Sequence, residues 1–350
     1  MLLLVLVPIV HMPFFVWIFI AAGFLLFSGF LYQTIGGWFG RHRFAKAAGF
    51  LILGDGARLF VRRQGSGRPT VVFEAGIGAS SLNWRHIQHA VARIASTISY
   101  DRAGLGWSSS RRSARTPSVV AAELHEMLER AGVQPPLVLV GHSFGGLVVR
   151  RYALLYPAEV ATIVLVDPMR CEEYPPFNPG MIANLTLGAR LCACAVPIAR
   201  FGLARLGLGS LICGSGRVAE KLSSIAGENC RYVLRRIEAE VAKMPAESRP
   251  ELVALWSRPS FYAEMRASLQ AIPEMVTEMR NAPPIQDIPI LVLTPGRAKP
   301  LDEEALRRIG NRAQQVIAHQ SRHWIHFDEP DLVIRSIREI IQAESISASS

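Results

Sequence analysis

Short apolar runs and segments with a helical repeat alternate along most of the chain. The runs 70–74 and 137–140 are rich in valine and leucine, which is typical of buried strands. Segment 118–131 instead spaces its apolar residues as one face of a helix. Strands that alternate with helices of this length form βαβ units. The pattern therefore predicts an α/β protein with a mostly parallel central sheet flanked by helices.

The alternation stops after the strand predicted over 162–167 and resumes with the strand predicted over 290–293. The stretch between them carries helical patterns separated by prolines and no alternating strand pattern. It is predicted to be a helical insertion into the sheet domain, over 170–285. The sheet domain is then predicted in two parts, and the tail 345–350 is predicted to be disordered. The two parts are 50–169 and 286–345.

The first 40 residues contain no Asp, Glu, Lys or Arg. Within them, segment 14–32 is a continuous apolar run of 19 residues, close to the roughly 20 that a membrane-spanning helix needs. A cleaved signal peptide is the alternative, but a basic start, a shorter apolar core and a small-residue cleavage site are not evident. We therefore predict an uncleaved membrane anchor over 1–40.

Basic residues follow this apolar run closely. Segment 41–68 contains seven Lys or Arg and one acidic residue, Asp55, and so contributes +6 of the net charge of +10. The positive-inside rule predicts a single-pass protein with its C-terminal body on the cytoplasmic side. Such a cluster is expected to contact anionic membrane lipid. No nucleic-acid motif accompanies the charge, so nucleic acid is not an expected partner.

The five cysteines lie in one middle segment of the chain. An odd number with this distribution argues against a disulfide framework and fits a reducing compartment. Cys192 and Cys194 alone are too few ligands for a metal site. No metal or organic cofactor is expected. The cysteines are Cys171, Cys192, Cys194, Cys213 and Cys230.

A G-x-S-x-G sequence, Gly141 to Gly145, comes directly after the buried strand predicted at 137–140. An apolar helical stretch begins two residues later. A serine on a tight strand-to-helix turn of this kind presents its hydroxyl at the top of a sheet. The alternative is an ordinary glycine-rich βα turn. The context favours Ser143 as a nucleophile.

Four blocks of sequence resemble the α/β-hydrolase fold, and the resemblance covers roughly 50–345. Their order and spacing are more specific than any one of them. By this resemblance, the helical insertion is similar to the cap that these enzymes place after the sixth core strand. The blocks are VVFEAGIGAS (71–80), YDRAGLGWS (100–108), LVLVGHSFGG (137–146) and SRHWIHFDEPDLVIRSI (321–337).

The resemblance implies a catalytic histidine in a loop late in the chain, before the last helix. His323 matches that position, and His326 is the alternative. His142 is expected to pack or to form hydrogen bonds. The acid is less clear, because Lys299 stands where the family usually has aspartate, and lysine cannot accept the imidazole N–H. Asp167, at the end of the sixth strand, and Asp302 are the candidates.

Two backbone N–H groups are expected to stabilise the oxyanion. One belongs to Phe144, the residue after the nucleophile. By resemblance, the other belongs to Ile77, in the loop after the strand at 71–74. Glu74 is expected to brace that loop.

Two further expectations concern residues beside this loop. Asp101 and Arg102 are predicted to form a structural pair. Trp107 either lines the pocket or packs in the core.

A serine nucleophile excludes the epoxide hydrolases and dehalogenases of this fold, because those use aspartate. Segment 181–212 is rich in leucine with interspersed arginines, which suits a bilayer surface, an acyl tunnel or plain cap packing. Together with the anchor, this predicts a membrane-anchored serine hydrolase that cleaves hydrophobic carboxylic esters through an acyl-enzyme intermediate. The alternatives are an acyltransferase and a non-catalytic binding or scaffold protein.

Overall fold

The structure is a computed structural model of the chain. Several sequence-based predictions concern residues outside its described part. They are the start of the anchor, the helical insertion over 214–240 with Cys230, and the end of the tail. The side chain of Cys213 lies outside it as well. The described residues are 13–46, 48–111, 113–171, 177–213 and 241–347.

One eight-stranded sheet forms the centre of the described molecule. Its strands lie in the order β1-β2-β4-β3-β5-β6-β7-β8. β2 pairs antiparallel with β1 and β4, and all other neighbours are parallel, so the predicted mostly parallel sheet is confirmed. The strands are β1 (Gly49–Ile52), β2 (Arg58–Gln64), β3 (Thr70–Glu74), β4 (Ser96–Tyr100), β5 (Leu137–His142), β6 (Val160–Val166), β7 (Ile290–Pro295) and β8 (Ala313–Ala318).

Helices cover both faces of this sheet. β3 and β5 are buried along their whole length, which explains their continuous runs of apolar residues. The described helices are α1 (Phe14–Phe44), α2 (Arg85–Val91), α3 (Pro117–Arg130), α4 (Phe144–Leu155), α5 (Pro179–Arg200), α6 (Leu203–Cys213), α7 (Arg249–Trp256), α8 (Pro259–Arg280), α9 (Glu303–Ile309), α10 (Ile325–Asp328) and α11 (Pro330–Ser347).

Two apolar cores separate the sheet from the helices on its two faces, and a third, which includes Trp107, lies around α7. One of the first two holds buried residues of α3, α4 and α8, including Leu124 and Leu147. The other holds buried residues of α2 and α11, including Ile87 and Ile337. The carboxyl ends of the parallel strands are therefore held rigidly at one edge, where ligands bind in sheets of this type.

Four described helices, α5 to α8, lie between β6 and β7. α5 and α8 pack along each other, and Gly188 allows this because a Cβ there would lie 3.2 Å from Leu269 Cδ1. The helical character of the insertion agrees with the sequence. Its exact limits, 170–285, stay a prediction, as do the limits of the two core parts.

Several elements differ from their predicted bounds. β1 was not predicted, and α11 continues to Ser347, so the predicted disorder from 345 is wrong up to that residue. α9 is a short helix, and Asp302 caps its start. Ser81–Trp84 forms a 3₁₀ turn that leads directly into α2.

α1 is longer than the 19-residue apolar run. It has 31 residues, and its most apolar window has a mean hydropathy of 2.4 with none of it buried. Its C-terminal part packs on the body, because the Gln33 side-chain amide donates to the Ser257 carbonyl at 2.9 Å. α5 also has the length and mean hydropathy, 1.6, of a candidate span. By length and composition, α1 fits a membrane span or a signal sequence.

Candidate active site

Ser143 lies between the last residue of β5 and the first residue of α4. Its backbone has φ 53° and ψ −118°, a strained conformation that non-glycine residues rarely adopt. A Cβ on Gly141 or on Gly145 would lie 2.5 Å from a backbone oxygen, of Gly145 and Glu74 respectively. The two glycines are therefore required for the chain to turn this sharply.

Backbone hydrogen bonds connect this turn to the end of β6. The Ser143 N–H donates to the Val166 carbonyl at 3.1 Å, and the Met169 N–H donates to the Ser143 carbonyl at 3.2 Å. Asp167 lies between these two partners and is itself held by its N–H, which donates to the Leu293 carbonyl at 2.9 Å. Parallel pairing of β5, β6 and β7 thus places the serine and this aspartate at the same edge of the sheet, the one formed by the carboxyl ends of the strands.

His323 and Asp167 are 156 residues apart in sequence and meet at this edge. The His323 Nδ1 lies 2.6 Å from the Asp167 Oδ2. The Asp167 side chain is 16% exposed and the imidazole 49% exposed. Asp167 also has a positive φ, 41°. A carboxylate that accepts the Nδ1–H leaves Nε2 without a proton, so this nitrogen can act as a base.

Asp302, the alternative acid, and His326, the alternative histidine, have surroundings that differ from those of Asp167 and His323. Asp302 is exposed and accepts a hydrogen bond from the Ala305 N–H at 2.9 Å, as the N-cap of α9. His326 is 1% exposed, and neither of its ring nitrogens has a hydrogen-bond partner among the described residues. Burial lowers the pKa of His326 well below its ordinary value, so this ring is neutral. Of the two histidines, only His323 lies against a carboxylate.

His142 positions the backbone of the histidine loop. Its Nε2–H donates to the His323 carbonyl at 2.8 Å, and the two ring centroids are 4.7 Å apart. Burial, with a smaller contribution from the charge of His323, lowers the pKa of His142 to about 3. The predicted hydrogen-bonding role therefore has a specific partner, which nothing in the sequence indicated.

The loop after β3 passes directly beside the serine. A Cβ on Gly76 would lie 3.5 Å from the Ser143 Cβ and 2.9 Å from the His142 Nδ1. Ile77 follows in the same loop and is partly buried against the core. Phe144 is the first residue of α4, where a backbone N–H has no partner within the helix. The roles of Ile77 and Phe144 as oxyanion donors stay predictions.

Arg102 holds this loop in place. Its guanidinium donates to the carbonyls of Ala75 (2.6 Å) and Gly76, forms an ion pair with Glu74, and lies 5.0 Å from the ring centroid of Phe144. Burial raises the pKa of Glu74, and the charge of Arg102 opposes that rise. Glu74 therefore braces the loop through Arg102.

The predicted pairing of Asp101 with Arg102 is wrong. The Asp101 carboxylate instead accepts the backbone N–H groups of Ser81 at 2.8 Å and Trp107 at 2.7 Å. Trp107 is 2% exposed and its Nε1–H donates to Glu251 Oε1 at 3.1 Å, so it packs in the core. Consecutive residues at a strand end point in different directions, which is why Asp101 and Arg102 have separate partners.

α8 covers the loop from the other side. Gly78 has a φ of 67°, and a Cβ on it would lie 2.6 Å from the Met265 Sδ and 3.8 Å from Phe261. The inserted helices thus contact the loop that carries Ile77. The arrangement at the sheet edge can support nucleophilic attack by serine with an imidazole base and a carboxylate partner.

Comparisons with known proteins agree with this fold. A family model described as the alpha/beta hydrolase fold matches residues 69–189. The protein YqjL of Bacillus subtilis is 37% identical over 106 residues, which are 30% of this chain and 42% of that protein. An AB hydrolase superfamily protein of Gibberella zeae is 32% identical over 98 residues, or 28% of this chain and 30% of that protein. The matched parts are less than half of either relative.

Solved structures match over a larger part of the chain. The epoxide hydrolase CorEH superposes with a TM-score of 0.64 at 16% identity, covering 85% of this chain and 98% of its own. A thermophilic esterase from Thermogutta terrifontis superposes with a TM-score of 0.59 at 20% identity, again covering 85% and 98%. At these identities the similarity concerns the fold alone. The sheet order, the serine turn and the family model over residues 69–189 together show that the chain has the α/β-hydrolase fold.

Proposed function

We propose that this protein is a membrane-anchored serine hydrolase that cleaves carboxylic esters of hydrophobic substrates through an acyl-enzyme intermediate. Ser143 is the nucleophile, His323 the general base and Asp167 its carboxylate partner. The contact that carries this proposal is the 2.6 Å hydrogen bond between His323 Nδ1 and Asp167 Oδ2, formed at the sheet edge where Ser143 lies.

In the first half of the reaction, the Ser143 Oγ attacks the ester carbonyl and passes its proton to the His323 Nε2. The negative charge on the carbonyl oxygen is stabilised by the N–H groups of Phe144 and Ile77. Collapse of this intermediate breaks the C–O bond, and His323 returns the proton to the leaving alcohol. Water, deprotonated by the same imidazole, then releases the acid and restores Ser143.

The identity of the residue in the turn favours ester chemistry over epoxide opening. By the resemblance to the superfamily, epoxide hydrolases attack with a carboxylate at this position, whereas this chain has Ser143. A hydroxyl activated by imidazole suits acyl transfer, in which an oxyanion forms beside backbone donors. The esterase among the similar structures supports a hydrolase in general terms.

The membrane anchor is supported by α1. Its apolar window is unburied, and basic residues at Arg41 and Arg43 follow it within the same helix. This asymmetry favours the cytoplasmic side for the hydrolase body. An uncleaved anchor leaves α1 on the mature protein and keeps the hydrolase body next to the membrane, from which hydrophobic esters can reach it.

Labelling with a fluorophosphonate tests the catalytic part of the proposal. We expect the native protein to be labelled and Ser143→Ala not to be labelled, because the probe bonds only to an activated serine. Ser336→Ala is the matched control, since Ser336 is also buried but lies in α11, and it should label like the native protein.

Absence of labelling in a folded native protein would instead favour a non-catalytic scaffold. If labelling occurs, product analysis with an added alcohol separates hydrolysis from the acyltransferase alternative. Transfer of the acyl group to the alcohol in preference to water would indicate an acyltransferase.

A further inference from the structure

α5 and α6 carry a row of large apolar side chains that the other described residues leave exposed. Leu187, Leu191 and Ile198 lie within about 40° of one another on α5, because a helix turns roughly 100° per residue. Their exposures are 56%, 61% and 46%, and those of Leu203 and Leu206 on α6 are 60% and 59%. These five residues are called the cap face below.

The cap face is fixed to α1 where α5 turns into α6. Gly202, with φ 78°, forms this turn, and a Cβ on it would lie 2.8 Å from both the Gly29 carbonyl oxygen and the Tyr32 Cδ1. A Cβ on Gly29 would in turn collide with the Phe201 carbonyl oxygen. Two glycines thus allow close contact between the helix and the turn.

Polar contacts continue the same interface further along α1. The Arg205 Nε donates to the Gln33 Oε1 at 3.0 Å, and a Cβ on Gly36 would lie 2.9 Å from that Nε. Gly29, Gln33 and Gly36 lie on one face of α1, at intervals of four and three residues. The turn therefore cannot move away from α1 without exposing a buried glutamine.

The length of α1 sets the depth of this contact in a bilayer. A helix rises about 1.5 Å per residue, so Gly29 lies roughly 22 Å and Gln33 roughly 28 Å from Phe14. The hydrocarbon core of a bilayer is about 30 Å thick. If α1 spans from Phe14, the α5–α6 turn lies at the boundary between the hydrocarbon and the headgroups.

The charges of α5 and α6 also fit a position at the boundary between the hydrocarbon and the headgroups. Segment 179–213 contains Arg190, Arg200 and Arg205 and no Asp or Glu. The exposed arginines Arg190 and Arg200 lie about 80° and about 160° from the middle of the apolar row on α5. They are therefore on the polar side of the helix, as in helices that lie in a bilayer interface. An anionic lipid surface therefore complements this face, whereas a basic protein groove would be repelled by it.

We propose that the cap face lies in the headgroup-acyl boundary of the leaflet next to the body, so that acyl esters reach the site from the bilayer. This rests on the proposed membrane anchor and hydrolase activity. One helix separates the cap face from the site, because α5 packs along α8 and α8 contacts the loop beside Ser143 through Met265. The substrate class is accordingly membrane-resident acyl esters.

Photo-crosslinking to lipid tests the cap face in the full-length protein. The probe, p-benzoylphenylalanine, replaces Leu191, Phe24 of α1, or Gln314 of β8 in three separate proteins. Gln314 is exposed on the edge strand farthest from β1. Each protein is reconstituted in vesicles of phosphatidylcholine and phosphatidylglycerol with a trace of alkyne-tagged phosphatidylcholine, and irradiated.

We expect lipid adducts of similar yield at positions 191 and 24 and only background at 314. Adducts at 24 but none at 191, or a protein–protein adduct at 191, would overturn the inference while leaving the anchor in place. No adduct at either 24 or 191 would overturn both. Adducts at 191 without adducts at 24 would contradict the spanning anchor and, with it, the position inferred for the cap face at the headgroup-acyl boundary. Fluorophosphonate labelling of the same proteins reports the catalytic proposal separately.

A second variant shows whether the apolar side chains themselves hold the face in lipid. Leu187→Glu with Leu203→Glu, combined with the probe at 191, should lose most of the lipid adduct at 191. Both leucines are exposed, so the double variant should unfold at the same temperature as its parent. An undiminished adduct in this folded variant would contradict the proposal.

Discussion

Two neighbouring regions at the end of the sheet use histidine in opposite ways. At the sheet edge, His323 is half-exposed and bonded to Asp167. Close to it, an aromatic cluster has the imidazole of His326 at its centre. Four other rings surround this imidazole with centroids 4.5 to 5.5 Å from its own, and they belong to Trp84, His142, Trp324 and Phe327.

The comparison shows that surroundings, and not residue type, decide what a histidine can do. His323 has a carboxylate on one nitrogen and open space around the ring, which are the conditions for a base. His326 has no hydrogen-bond partner among the described residues, and burial keeps it neutral. Only three residues separate the two in sequence.

The largest expected effect comes from replacing His323, and the replacement of His326 is its comparison. His323→Ala should lower kcat for a short-chain ester by about 10⁶-fold, as loss of the base does in serine hydrolases. His326→Phe should keep most of the activity, because the cluster is aromatic throughout. Initial rates on p-nitrophenyl butyrate measure both.

The stability of the His326→Phe protein gives a second test of the difference between the two histidines. A buried polar group without a partner costs about 1–3 kcal/mol, so His326→Phe should not lower the free energy of unfolding in urea. A large loss of activity in a stable His326→Phe protein would show that the assignment of the base to His323 is wrong.

The acid gives the next largest effect. Asp167→Asn should lower kcat by about 10⁴-fold, because an amide favours the wrong imidazole tautomer. Asp302→Ala should leave kcat unchanged and cost about 1 kcal/mol of stability through loss of the helix cap. Rates and urea midpoints of the two variants distinguish these outcomes. The reverse pattern would assign the acid to Asp302.

The smallest effect concerns the pH dependence of stability. His142 has an ordinary pKa of 6.5 and a folded-state pKa of about 3, so the unfolded chain takes up the proton first. Stability from this group is complete above pH 6.5 and declines as the pH falls from 6.5 toward 3, by at most about 1.4 kcal/mol per pH unit.

His142→Gln removes this titration and should flatten the decline between pH 6.5 and pH 4.5, measured by urea unfolding. His86→Gln, which removes an exposed histidine, should leave the slope as it is. Equal slopes in all three proteins would contradict the buried, neutral state of His142.

Local sequence patterns were sufficient for much of the fold. Continuous valine and leucine runs predicted the central strands, since strands buried on both faces have no polar positions. The glycines around Ser143 predicted the turn, because only glycine tolerates such close backbone contacts. β1 escaped prediction although 50–53 is apolar, because a run of four apolar residues does not by itself distinguish a strand from part of a helix.

Contacts between distant parts of the chain required the tertiary structure. The sequence left Asp167 and Asp302 open, and the register of β5, β6 and β7 brought only Asp167 against His323. Likewise, Arg102 lies against Glu74 and not against its neighbour Asp101. A pattern along the chain encodes which backbone conformation is favoured locally, whereas the partner of a polar side chain depends on which strand ends and loops the folded sheet brings together.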